Sequence, residues 1–147
     1  MRQVTQAGID LIRHFEGYSA SIYKDSAGYP TIGVGHLIRP SESFSEPITE
    51  QEAEELLKKD LWTAERAVLR LTRVPLGDSQ FNALVSFCFN LGSGAYQRSS
   101  MRSKLNRREY ADAGGEFLRW CKAGGKIIKG LLRRRRSERD MFMEEVF

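Results

Sequence analysis

From Phe15 to His36 the chain reads FEGYSASIYKDSAGYPTIGVGH, and no long helix can run through it. Gly17, Gly28, Gly33, Gly35 and Pro30 punctuate the stretch, and each weakens or breaks a helix. Between them lie short β-favouring runs: Ile22-Tyr23, Tyr29-Pro30-Thr31-Ile32 and Val34. These predict a small antiparallel hairpin or three short strands between Ser19 and Leu37. The same stretch carries chemistry. Glu16 lies nine residues before Asp25, and Asp25 six before Thr31. At that spacing the three cannot share a helix face, so a turn must bring them together. Two carboxylates and a hydroxyl gathered by a reversing chain can cut a glycosidic bond. One carboxyl protonates the leaving oxygen, and the other directs a water or attacks the sugar.

The rest of the chain reads as helix. Thr5 can cap a first helix with Ile9, Leu11, Ile12 and Phe15 on its apolar face, ended by Glu16-Gly17. Residues 39–47 are polar with two prolines and predict a loop. Thr49 and Glu52 form a capping box ahead of apolar positions Ala53, Leu56, Leu57, Leu61, Ala64, Val68 and Leu71, a 3.6-residue period. The expectation is one long helix over 49–73, stopped by Pro75 and joining two lobes. Asp78 or Ser79 caps a segment, Phe81–Leu91, apolar nearly all round and so the core helix of a second lobe. Shorter helices are expected over 100–106 and 108–120, a turn at 123–126, and a last helix from Leu131 to Val146. The fold class is therefore α+β, mostly helical. The chain is one domain over 1–147: an α+β lobe over 1–48, a connecting helix over 49–73 and a helical lobe over 74–147.

Charge is split along the chain. Residues 1–60 carry six basic and ten acidic side chains, and residues 61–147 carry seventeen and nine. A basic half favours an anionic partner, and nucleic acid, acidic lipid and an anionic cell wall all qualify. No apolar run approaches the length of a spanning helix. The first residues lack the pattern of a signal peptide, which points to folding in the cytoplasm. Cys88 and Cys121 are the only cysteines. They have no metal-ligand spacing and read as free thiols.

Each singled-out residue also has a plainer reading. A lone Glu16 is a solvated helix end, Asp25 in KDSAG is turn chemistry, and His36 is a satisfied, partly buried histidine. The run Arg133–Arg136 covers a full helical turn and cannot all point one way. One of its arginines is expected to face inward toward a carboxylate. No helix-turn-helix, zinc finger or RNA-binding motif accompanies it, so no specific nucleic acid is expected. GVG is no phosphate loop, since no GK[ST] follows it.

Taken together, FEG, YKDSAGYPTIGVGH, ITEQEAEELLKKD, QFNALVSFCFNLG and AGGKIIKGLLRRRRSE resemble, in order, segments of the phage-type lysozymes, the endolysin family. The resemblance covers nearly the whole chain. It implies a lysozyme-like fold in which a small α+β lobe carries the acid and a larger helical lobe closes the cleft. It also implies hydrolysis of the β-1,4 bond between N-acetylmuramic acid and N-acetylglucosamine in peptidoglycan. By this resemblance Glu16 is the general acid, Asp25 the carboxylate that activates water, and Thr31 the hydroxyl that orients that water. Leu37, Phe89 and Ser100 match glycan contacts. Arg134 is expected to pair with Glu16, and His36 with Asp60. Inversion at the sugar, no cofactor or metal, a monomer acting on glycan strands, and release to the wall through a separate holin complete the implied picture.

Two other classes compete with this one. A lytic transglycosylase uses one acid and leaves a 1,6-anhydro sugar, but gives Asp25 and Thr31 no task. A non-catalytic wall-binding module gives none of the three a task.

Overall fold

The computed structural model describes residues 2–147. The chain forms two compact units, one of Ile9–Trp62 and one of Thr63–Phe147 with the chain up to Gly8.

The first unit opens within α1 (Gln6–Glu16), which leads through Gly17 into a three-stranded antiparallel sheet. Its strands are β1 (Ser19–Lys24), β2 (Pro30–Gly33) and β3 (His36–Leu37), in the order β1-β2-β3. Gly17 (φ +78°) and Gly35 (φ +69°) sit in left-handed backbone where a Cβ would be strained. They allow the two sharp reversals that the glycine pattern predicted. Ile9, Ile12, Ile32, Val34, Ile48, Ala53 and Leu57 fill the core. Gly33 brings the sheet against α2 (Glu50–Asp60), since a Cβ there would lie 3.3 Å from Ala53 Cβ. The capping box is made: Glu52 N donates to Thr49 Oγ1 at 3.0 Å, and Thr49 N to Glu52 Oε1 at 3.1 Å.

The single helix expected over 49–73 is instead two, α2 and α3 (Trp62–Leu71), parted at Leu61. Leu61 keeps φ −73° but opens ψ to −15°, so one turn tightens without Gly or Pro to mark it. The apolar period continues across the break, with Leu57, Leu61, Ala64 and Val68 all buried. This is why periodicity alone did not show it. The division between the two units falls here, after Trp62.

The second unit is built on α4 (Asp78–Leu91), whose residues from Gln80 to Cys88 are all buried. It packs along α8 (Lys129–Met143). Around it run α5 (Ser93–Gln97), α6 (Ser100–Asn106), α7 (Tyr110–Glu116), a 3₁₀ turn (Phe117–Arg119) and a hairpin of β4 (Lys122–Ala123) and β5 (Lys126–Ile127). Phe87 meets Phe117 and Trp120 edge-on, with centroids 5.8 and 5.5 Å away. The cap of α4 differs from expectation. Gly77 is the N-cap, Gln80 Oε1 accepts from Gly77 N at 2.9 Å, and Glu145 Oε1 accepts from Ser79 N at 2.7 Å. A carboxylate from the far end of the sequence thus takes an unpaired N–H at the positive end of the helix dipole. Thr5 also has another task than capping α1. Its N–H donates to Asn82 Oδ1 at 3.0 Å, and its hydroxyl accepts from Asn82 Nδ2 at 2.7 Å.

Candidate active site

Glu16 ends α1 and is half-buried. Gly17 N closes the helix by donating to Arg13 O at 2.9 Å. The carboxyl lies against the β2–β3 turn, where a Cβ on Gly35 would come 3.3 Å from Glu16 Oε1. That approach and the positive φ both favour glycine at 35.

Asp25 follows β1 in a tight turn. Its Oδ1 accepts from Ala27 N and from Tyr29 N, both at 2.9 Å. Its backbone N–H donates to Tyr29 O at 2.9 Å, and its carbonyl accepts from Gly28 N at 2.9 Å. The turn reading of KDSAG is therefore correct for Oδ1. Oδ2 makes no hydrogen bond among the described residues. Thr31, on β2, is 2% exposed, and its hydroxyl donates to Tyr29 O at 3.0 Å. The Tyr29 backbone thus holds both side chains, while the residue as a whole is 62% exposed. Thr31 stands opposite Tyr23 on β1 and Leu37 on β3. Directly opposed residues share a sheet face, so Leu37, 54% exposed, adjoins the position of Thr31.

His36 Nδ1 lies 2.8 Å from Asp60 Oδ2. The sequence reading missed the other side of the ring: Nε2 lies 3.1 Å from both carboxylate oxygens of Glu42. Glu42 Oε1 also accepts from Arg39 N at 2.8 Å. That bond, then the His36 imidazole, hold the Glu42 carboxyl below the usual carboxylate range against the opposing effect of burial. Neutral imidazole has one N–H, so only imidazolium donates to both carboxylates. Nothing in the spacing of the polar loop 39–47 marked Glu42 among its serines and prolines.

In the second unit, Phe89 is half-buried on α4. Ser100, exposed at the start of α6, borders a recess of about 300 Å³ with Arg98, Ser99, Glu116, Arg119 and Trp120. Glu116 is nearly buried and pairs with Lys104 at 2.9 Å and Arg119 at 2.7 Å. Of the arginine run, two side chains turn inward rather than the one expected. Arg134 is 4% exposed and Arg135 fully buried. Arg134 Nε lies 3.3 Å from Glu138 Oε2, and Arg135 Nε 2.9 Å from Glu138 Oε1. Ser86 donates its hydroxyl to Glu138, and Arg134 Nη2 donates to Ser86 O at 3.3 Å. The i,i+4 and i,i+3 spacing of Arg134 and Arg135 to Glu138 was visible in the sequence. Burial pushes the Glu138 carboxyl up and the Arg135 guanidinium down, and their mutual attraction opposes both shifts.

Comparison with known proteins places these residues in context. A family model described as phage lysozyme matches residues 13–138. The endolysin of Salmonella phage P22 is 42% identical over 146 residues, covering 97% of this chain and 99% of that one. The endolysin of Bacillus phage B103 is 41% identical over 145 residues, 95% of this chain; the chain spans about half, 54%, of that protein's length. Among solved structures, a mutant of P22 lysozyme superposes with a TM-score of 0.89 at 40% identity, over 97% of this chain and 99% of that one. The muramidase domain of SpmX from Asticaccaulis excentricus gives 0.86 at 33%, with the same coverages.

Proposed function

Since the chain belongs to the phage lysozyme family, we propose that it hydrolyses the β-1,4 bond between N-acetylmuramic acid and N-acetylglucosamine in peptidoglycan. Glu16 gives its proton to the bridging oxygen as the bond from that oxygen to the anomeric carbon breaks. A water attacks the anomeric carbon from the opposite face, and its proton passes to Asp25.

The observation that carries this reading is the division of labour within the Asp25 carboxylate. Oδ1 is saturated by two backbone N–H groups, which fixes the carboxylate plane and leaves Oδ2 to bind a water. Thr31 has given its only proton to Tyr29 O. A water meeting this hydroxyl must therefore donate to it, which orients that water. A lytic transglycosylase has no need of such a water site. An inverting course, which leaves room for a water between Asp25 and the sugar, belongs to the same proposal. Leu37, Phe89 and the recess beside Ser100 are the proposed glycan contacts. The expected pairing of Arg134 with Glu16 is part of the same proposal, as are release to the wall through a holin and action as a monomer.

Chromatography and mass spectrometry of muropeptides released by wild type and Glu16→Gln test the proposal. Reducing muramic ends from the wild type, and at least ~100-fold less product from the variant, are expected. Products carrying 1,6-anhydro ends would replace the hydrolase with the transglycosylase. A β-anomer as first product, seen by NMR, would recast Asp25 as a nucleophile.

A further inference from the structure

The three asparagines of the chain all lie in the second unit, and two of them spend their whole amide on the fold. Asn82 accepts from Thr5 N and donates to Thr5 Oγ1. Asn106 accepts from Arg73 N at 2.8 Å and donates to Leu71 O at 3.0 Å. Asn90, half-buried in the last turn of α4, is held at one end only. Its Oδ1 accepts from Arg135 Nη2 at 2.7 Å. Its Nδ2 makes no hydrogen bond among the described residues and stays open to solvent.

The direction of that amide is forced. A guanidinium has donors and no acceptor, so only the oxygen of Asn90 can face Arg135, and the NH2 group must turn away from it. A charged donor also makes the stronger bond. Arg135 itself has no freedom to move. It is fully buried, tied to Glu138 Oε1 at 2.9 Å, and its guanidinium carbon lies 5.2 Å from the centroid of the Phe87 ring. Phe87 meets Trp120 edge-on, and Trp120 lines the recess beside Ser100. Asn90 thus follows Phe89 directly in the chain and is linked to that recess through Arg135 and Phe87.

A fixed, neutral N–H donor suits a neutral carbonyl oxygen. On a peptide-free glycan of N-acetylmuramic acid and N-acetylglucosamine, each sugar carries one in its acetamido group. We propose that Asn90 reads the N-acetyl group of the glycan, its Nδ2 donating to the acetamido oxygen, with Arg135 as the positioning residue behind it; the assignment rests on the glycan hydrolysis proposed above. A sugar with a hydroxyl in place of the acetamide leaves this donor without its partner, the contrast by which polar sites discriminate between substrates.

The test uses the full chain carrying Glu16→Gln, so that the ligand survives. Three probes are titrated: peptide-free peptidoglycan strands, tetra-N-acetylchitotetraose, and cellotetraose, which has hydroxyls where the others have acetamides. Proton–nitrogen NMR should show the Asn90 side-chain amide signals moving with the strands and not with cellotetraose. Movement with the chitotetraose as well assigns the acetamide of N-acetylglucosamine, and movement with the strands alone that of N-acetylmuramic acid. Asn90→Asp keeps an oxygen for Arg135 but has no donor to turn outward. It should bind the strands at least about five-fold more weakly, with a melting temperature that does not fall. A purely structural amide predicts the reverse, full affinity in Asn90→Asp, and that result would overturn the proposal. So would Asn90 amide signals that stay still with the strands, or that respond equally to cellotetraose; these signals decide the matter even if Asn90→Asp does not fold. None of these readouts requires bond cleavage, so the outcome stands apart from that of the muropeptide assay.

Discussion

Replacing Glu42 by Gln removes one charge from the clamp around His36 and leaves the shape nearly unchanged. The carboxylate contacts His36 Nε2 at 3.1 Å and Arg39 N at 2.8 Å. Exposed pairs are worth up to ~1 kcal/mol and broken buried pairs ~3–5 kcal/mol. With the Glu42 side chain 27% exposed and that of His36 6%, the loss belongs near the lower figure. About 1 kcal/mol corresponds to a melting temperature lower by roughly 3 °C for a chain of this size. The pH dependence has a definite sign. Folding holds the Glu42 carboxyl below its ordinary range, through the Arg39 N–H and then His36. Its contribution is therefore complete above the unfolded value near ~4.3 and is lost as pH falls through the folded value. Thermal unfolding followed by circular dichroism should show the gap at pH about 5.5 and its shrinkage near pH 3.5. In a His36→Gln background the Glu42→Gln penalty should be smaller. Two results would refute the clamp: strictly additive effects of the two substitutions, or a gap of constant size at both pH values.

Three further outcomes follow from the packing. Glu138→Ala removes the buried carboxylate that Arg134 and Arg135 share and should cost about 3–5 kcal/mol in urea unfolding; a loss below ~1 kcal/mol would show that this carboxylate is not what holds the pair in the core. Gly114→Ala should destabilise by about 1–3 kcal/mol, because the new Cβ would lie 2.4 Å from Met143 Sδ and 3.2 Å from Phe142 Cδ1. Its neighbour Gly115 faces open space, so Gly115→Ala should be neutral or stabilising by up to ~1 kcal/mol, and equal effects at both positions would contradict the packing. Burial, reinforced by Glu138, pushes the Cys88 thiol up to about 12, so a thiol reagent at mildly alkaline pH should label Cys88 only after denaturant is added.

What the sequence revealed follows physical range. Strands, reversals and the Thr49 capping box were readable because glycine backbone freedom and Ser/Thr capping act over a few residues. The core character of α4 was readable because burial leaves an apolar composition. The break at Leu61 was not, since the apolar period runs through it unchanged. Long-range polar partners were the other blind spot. Glu145 at the start of α4, Asn82 on Thr5 and Glu42 on His36 are chemically ordinary residues whose roles arise only from tertiary placement. For the candidate site, the sequence named the side chains Glu16, Asp25 and Thr31 but not what supports them, because that support is a backbone unit.

That support has a consequence for how the site answers to substitution. Asp25 and Thr31 both hang on the N–H and C=O of Tyr29, groups that every residue except proline supplies in full. The following Pro30 already biases residue 29 toward extended backbone, whatever its side chain. An alanine scan should therefore score position 29 as nearly silent, although its backbone holds both Asp25 and Thr31 of the proposed site. A saturation library would show broad tolerance with one sharp exception, Tyr29→Pro, which deletes the N–H held by Asp25. On the proposed mechanism, catalysis depends on a position whose side chain is almost free to vary, and inspection for unvarying side chains would pass over it.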